Sequence, residues 1–95
     1  MMSEIPKSLS KMRSEDLNRE IARAGMIAEL DAVSLYEQLA AMATDHDLKR
    51  VLADIAKEEK THLAEFETML LRMDREQVEE HVKGKQEVEE LTGKK

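Results

Sequence analysis

Apolar residues return at three- and four-residue steps over two long stretches of this chain. The first runs from about Ser14 to Met42 and carries Ala22, Gly25, Met26, Ala32, Val33, Tyr36, Leu39 and Ala40. The second runs from about Asp47 to Met73 and carries Leu48, Val51, Leu52, Ile55, Ala56, Leu63, Phe66, Met69 and Leu70. That period predicts two amphipathic helices. Ser14 ahead of Glu-Asp-Leu reads as the first N-cap, and Thr44 or Asp45 in "ATDHDL" as the second, with Asp47 in the first turn. "DREQ" at 74–77 has the form of a capping box. It predicts a short third helix from Arg75 to about Val82, interrupted by "KGK" at 83–85. Residues 1–13, polar and holding Pro6, read as a flexible N-terminal arm; 14–82 form the helical unit; 83–95 read as a polar C-terminal tail.

Two helices of similar length with a short connection fold back as an antiparallel hairpin, each roughly 40 Å long at ~1.5 Å per residue. A hairpin cannot enclose a core by itself, and an apolar stripe on each helix is left facing water. Pairing two hairpins into a four-helix bundle covers both stripes. The expected architecture is therefore all-α: an antiparallel two-helix hairpin plus a short C-terminal helix, dimerising into a four-helix bundle. The expected state is an obligate homo-oligomer whose smallest unit is a homodimer.

Composition agrees and excludes several functions. The 95 residues suffice for one small domain, with one Phe, one Tyr, no Trp and 38% charged side chains, a mixture that suits helices over strands. The net charge of −6, with no basic cluster, argues against nucleic acid and for cations. No apolar run approaches the ~20 residues of a membrane span, and nothing resembles a signal peptide, so the expected location is the cytoplasm. The absence of cysteine removes disulfides, thiolate metal sites and thiol nucleophiles together.

Two acids interrupt the apolar stripes. Glu29 lies among Ala22, Gly25, Met26, Ala32, Val33 and Tyr36 on its helix wheel. Glu59 lies among Leu52, Ile55, Ala56, Leu63 and Phe66, with His62 one turn on. A carboxylate there is costly unless it is paired or bound to a metal. Glu58, by contrast, falls beside Asp54, Thr61 and Glu65 at the rim. In a hairpin Glu29 and Glu59 stand at similar heights. One carboxylate plus a Glu-x-x-His pair is half of a carboxylate-bridged di-metal site, and two chains complete it with four carboxylates and two imidazoles. Such O and N donors suit iron or manganese, and zinc can occupy them. A lone Glu-x-x-His arises readily in a Glu-rich chain, and the acids could instead pair with Lys or Arg from a partner. The second, independent acid at matched height favours the metal. Tyr36, two turns after Glu29, can serve as a hydrogen-bonding neighbour of a ligand carboxylate or as a core tyrosine. His46 and His81 read as solvated, and the seven Met residues as core filler.

With "AELDAVSLYEQLA" (28–40) and "LADIAKEEKTHLAEF" (52–66), the chain resembles the ferritin-like superfamily, which carries Glu-x6-Tyr on one helix and Glu-x-x-His on the next. A single helix pair in place of four helices resembles the encapsulated ferritins, over about residues 18–82. The resemblance implies a ferroxidase that oxidises Fe(II) to Fe(III) with O₂ at a di-iron site between two subunits. It implies Glu29, Glu59 and His62 of each chain as metal ligands and catalytic residues, with Glu59 bridging, His62 terminal and Tyr36 beside them. Asp31 matches an acid that family uses where ions enter. Ala28 and Leu35 depart from its second such acid and from a Trp. The resemblance further implies a ring of dimers such as a decamer, and an encapsulin shell protein as partner whose interior stores the iron, so that the chain works inside a cytoplasmic nanocompartment. "LTGKK" is short for the shell-targeting tail of that family. Rival readings are a rubrerythrin-like peroxide-reducing di-iron protein, which would need an external electron donor in the absence of cysteine, and a non-enzymatic helical oligomer or adaptor.

Overall fold

The computed structural model describes residues 13–95, so the arm at 1–13 lies outside the described residues but for Arg13. Three helices follow in order: α1 (Ser14–Met42), α2 (His46–Met73) and α3 (Arg75–Thr92), with no strand among the described residues. The all-α class and the hairpin expected from the apolar period are present.

The helix ends show how side chains set the chain path. Ser14 is already helical; Arg13 occupies the cap position and makes no side-chain cap bond. Glu15 and Asp16 in the first turn still complement the positive helix end. At the other end of α1 the Ala43 amide bonds Leu39 O at 2.9 Å, and the Lys49 ammonium reaches back from α2 to Ala40 O at 2.8 Å. Asp45, not Thr44, caps α2, accepting from the Leu48 amide at 2.9 Å. Asp74 turns the chain from α2 into α3. One of its oxygens accepts from the Gln77 amide at 3.0 Å, the cap that the "DREQ" box predicts. The other accepts from Arg23 Nη2 of α1 at 2.8 Å, and Arg19 Nη1 bonds Met73 O at 3.3 Å. Two α1 arginines thus clamp the α2–α3 corner.

The third helix is longer than the sequence reading gives. It continues through Lys83-Gly84-Lys85 to Thr92 and ends at Gly93, which takes the left-handed conformation (φ 69°) and returns its amide to Glu89 O at 2.8 Å. A single interior glycine costs a helix only about 1 kcal/mol. The run of Lys, Gln and Glu around Gly84 absorbs that, and Gly93 provides the stop. The helix leaves the hairpin at the corner and packs on neither long helix beyond it. The molecule is consequently flat and open, 46 × 44 × 19 Å. Its radius of gyration is 16.8 Å, against about 12 Å for a compact domain of this length.

Burial is correspondingly thin. Ala22, Ala40, Ala56 and Leu70 are the buried apolar residues among those described, and no large side chain is fully enclosed. Ile21, Leu35, Leu39, Leu48, Val51 and Met69 stay exposed along the helices, and Ile27 and Leu30 rim an open groove of about 500 Å³ at the α3 corner. Apolar exposure on this scale marks surfaces that a further chain would cover. No helix among the described residues is long and apolar enough to cross a membrane.

Gly84 has negative φ, and a Cβ built there meets nothing within 4 Å. Gly84→Ala is expected to stabilise the protein by about 1 kcal/mol, read by chemical denaturation followed by far-UV circular dichroism. A loss of stability would instead show that another chain fills the space beside α3.

Candidate metal centre

The hairpin brings Glu29 of α1 against Glu59 and His62 of α2. The two α2 residues lie one helical turn apart and share a face. His62 Nδ1 stands 3.3 Å from Glu59 Oε2 and 3.7 Å from Glu29 Oε2. One donor atom from each of the three lies within 4.8 Å of the other two, and no other group of His, Asp and Glu among the described residues comes together in this way. Glu29 Oε2 is buried and has no hydrogen-bond partner. The imidazole is 46% exposed, against 18% and 19% for the carboxyl side chains. The cluster is closed behind by the helices and open in front.

The charges are unbalanced. The adjacent Glu59 carboxylate, which would accept a hydrogen bond from a protonated Glu29, holds Glu29 above the usual carboxylate range, and burial adds to this. Glu59, the other partner in that bond, is lowered, with His62 contributing. The hydrogen bond from Glu59 raises His62, more than burial lowers it. Without a metal the neighbouring carboxylates favour the protonated forms of Glu29 and His62. No arginine or lysine among the described residues neutralises them: Lys60, next to Glu59, turns away to Glu37 at 3.1 Å.

Two carboxylates and an imidazole, one carboxylate oxygen being buried without a partner, fit a divalent cation of the iron, manganese or zinc type. Three protein donors leave much of an octahedral ion's coordination unfilled.

The other candidates are not among the clustered donors. Asp31 follows Glu29 by two residues, which carries it round to another side of α1; it is buried there, 9% exposed, and is not among the clustered donors. Tyr36 is half-buried, and its hydroxyl makes no hydrogen bond to any of the three. Glu58 faces Asp54, with which it shares a hydrogen bond that raises it above the carboxylate range. His46 begins α2 and His81 lies on α3, both exposed.

Comparison with known proteins places these features. Residues 4–87 match the family described as EncFtn-like. Over 74 residues the chain is 51% identical to a ferritin-like–encapsulin shell fusion protein of Pyrococcus furiosus, a match covering 78% of this chain and 21% of that protein. Over 67 residues it is 37% identical to the encapsulin nanocompartment cargo protein EncC of Myxococcus xanthus, covering 70% of this chain and 51% of that one. It spans only those fractions of the two curated relatives. The crystal structure of the encapsulated ferritin domain from Pyrococcus furiosus superposes with a TM-score of 0.82 at 42% identity, over 98% of this chain and 89% of that chain.

Two outcomes follow from the cluster's electrostatics. A divalent ion must displace the proton on His62, whose pKa is raised. Metal affinity should therefore fall as pH drops, and the fall should begin above the ordinary imidazole value of about 6.5; Zn(II) titrations across pH 5.5–8.5 measure this. Glu29→Gln removes one of the crowded charges. It should raise the melting temperature of the metal-free protein at neutral pH while weakening Zn(II) binding at least tenfold, as function and stability trade against each other at such sites.

Proposed function

The chain belongs to the EncFtn-like family, the one its helix motifs resemble, and from that premise we propose that it is a ferroxidase. Its substrate is Fe(II), bound in pairs where two chains meet. The observation that carries this reading is the convergence of Glu29, Glu59 and His62, with a buried carboxylate oxygen left without a partner.

The three side chains bind and hold the iron. Glu29 reaches from α1; Glu59 and His62 reach from α2. A second copy contributes the same three, so each of two ions meets carboxylate oxygen and imidazole nitrogen. Binding competes with protons on Glu29 and His62, the two groups whose proton affinity is raised. The carboxylates then offset the charge as each Fe(II) gives up one electron to become Fe(III). O₂ takes up the two electrons, and with two protons this gives H₂O₂. Glu59, with His62 one turn on to hold one ion, would be the bridging ligand in this reading.

The open hairpin supports a paired assembly. Its exposed apolar stripes flank the cluster, so contact between two copies would cover them and close the front of the site in the same event. A homodimer is the minimal active unit in this reading, and a larger ring, such as a decamer, its assembled form. Both relatives are named for encapsulins, one as a shell fusion and one as a nanocompartment cargo. By that likeness the present chain works inside an encapsulin shell in the cytoplasm and supplies ferric iron to its interior.

Anaerobic titration should load one Fe(II) per chain, and admitting air should then consume O₂. Glu59→Ala and His62→Ala should each cut iron-dependent O₂ uptake to the rate of iron in buffer alone while far-UV circular dichroism stays helical. An oxygen electrode reads the first and a spectropolarimeter the second; full activity in both variants would refute the assignment.

A further inference from the structure

Gly25 and Phe66 meet one helical turn from the clustered donors, and we infer that this contact is the spacer that sets how far Glu29 stands from Glu59 and His62. The inference rests on reading that cluster as a metal site and assigns these two residues a positioning role within it.

Gly25 precedes Glu29 by one turn of α1, and Phe66 follows His62 by one turn of α2. Because the helices are antiparallel, the two layers are neighbours in one register: Gly25 opposite Phe66, and Glu29 opposite His62. A Cβ built on Gly25 would lie 2.7 Å from Cδ1 and Cε1 of Phe66 and 2.8 Å from Cγ. Carbon atoms in ordinary contact stand ~3.5–4.0 Å apart. The ring therefore occupies the space that any side chain at position 25 would need.

Backbone conformation gives no reason for a glycine there. Its φ is not positive, and a glycine inside a helix weakens it. Close approach of α2 is what its bare Cα permits. The chain has a single phenylalanine, and it sits at this layer.

The lever is short. Helices move as rigid elements, and the layer of Glu29 and His62 is one pitch away, ~5.4 Å. Restoring normal contact between a Cβ and the ring needs a shift on the order of 1 Å. Metal–ligand distances tolerate about 0.2 Å. A side chain added at position 25 would thus spread the donors beyond what one ion can bridge, and a smaller residue at 66 would let them slacken.

The test is a cycle of Gly25→Ala, Phe66→Leu and the double variant, read with Co(II) and by metal-free thermal melting. Gly25→Ala is expected to bind Co(II) about 10- to 100-fold more weakly, the range seen when residues supporting metal ligands are lost, with an altered ligand-field spectrum. Its metal-free melting temperature should fall, although alanine is the better helix former. The double variant should recover both properties, including the fold if Gly25→Ala alone does not assemble. Phe66→Leu alone should stay folded with an altered Co(II) spectrum. Wild-type affinity and spectrum in Gly25→Ala, an unchanged spectrum in Phe66→Leu, or a double variant no better than Gly25→Ala would overturn the spacer. If the unmodified protein takes up no Co(II), the metal reading itself fails. The melting cycle then decides the spacer alone: a Gly25→Ala that melts higher than the parent refutes it, and a lower melting temperature recovered in the double variant upholds it.

Discussion

Two carboxylates crowd each other on the inner faces of the hairpin, and within the described residues only an imidazole stands near enough to offset them. This repulsion is the constraint around which the rest of the molecule is arranged. Helices hold it in place because backbone hydrogen bonds and packed side chains, not the charges, set the distance between Glu29 and Glu59. The raised proton affinities of Glu29 and His62 express the same constraint chemically. A proton or a cation placed among them would relieve the repulsion. A purely structural hairpin would gain by replacing these groups with apolar ones, since buried ionic groups seldom improve stability over a hydrophobic substitute.

Much of this was legible in the primary structure because its causes are local. The apolar period located both long helices, and Asp45 and Asp74 marked where helices begin through a carboxylate accepting an amide three residues on. The convergence of Glu29, Glu59 and His62 followed from one further step, that helices of similar length joined by a short turn lie level with each other. Less legible were features whose cause lies between elements. The "KGK" stretch read as a break since a glycine between lysines carries no apolar signal, yet α3 runs on to a proper stop at Gly93. Arg23 and Arg19 carried no local signal that they reach the α2–α3 corner. The closeness of Phe66 to Gly25 depends on side-chain direction across two helices, which periodicity does not specify. Asp31, assigned by resemblance alone, lies on another side of α1 from the cluster, as a two-residue step along any helix requires.

The exposed apolar stripes and the half-filled donor set raise the same issue from two directions. A chain of this length can form the hairpin but cannot enclose it, and three side chains can begin a coordination sphere but cannot complete one. In the proposed reading, association of copies resolves both at once. Packing and chemistry then depend on the same contact, and a chain that fails to associate would lose both its stability and its site.

Asp74 does two jobs with one carboxylate, closing the first turn of α3 and holding Arg23 of α1. That doubling leaves the position little latitude. Asparagine keeps a capping oxygen but gives up the charge that Arg23 requires. Glutamate keeps the charge, but its added methylene carries the oxygens past the amide. The bearing of α3 is thereby tied to the helix farthest from it along the chain, and only the shortest acidic side chain can make that join.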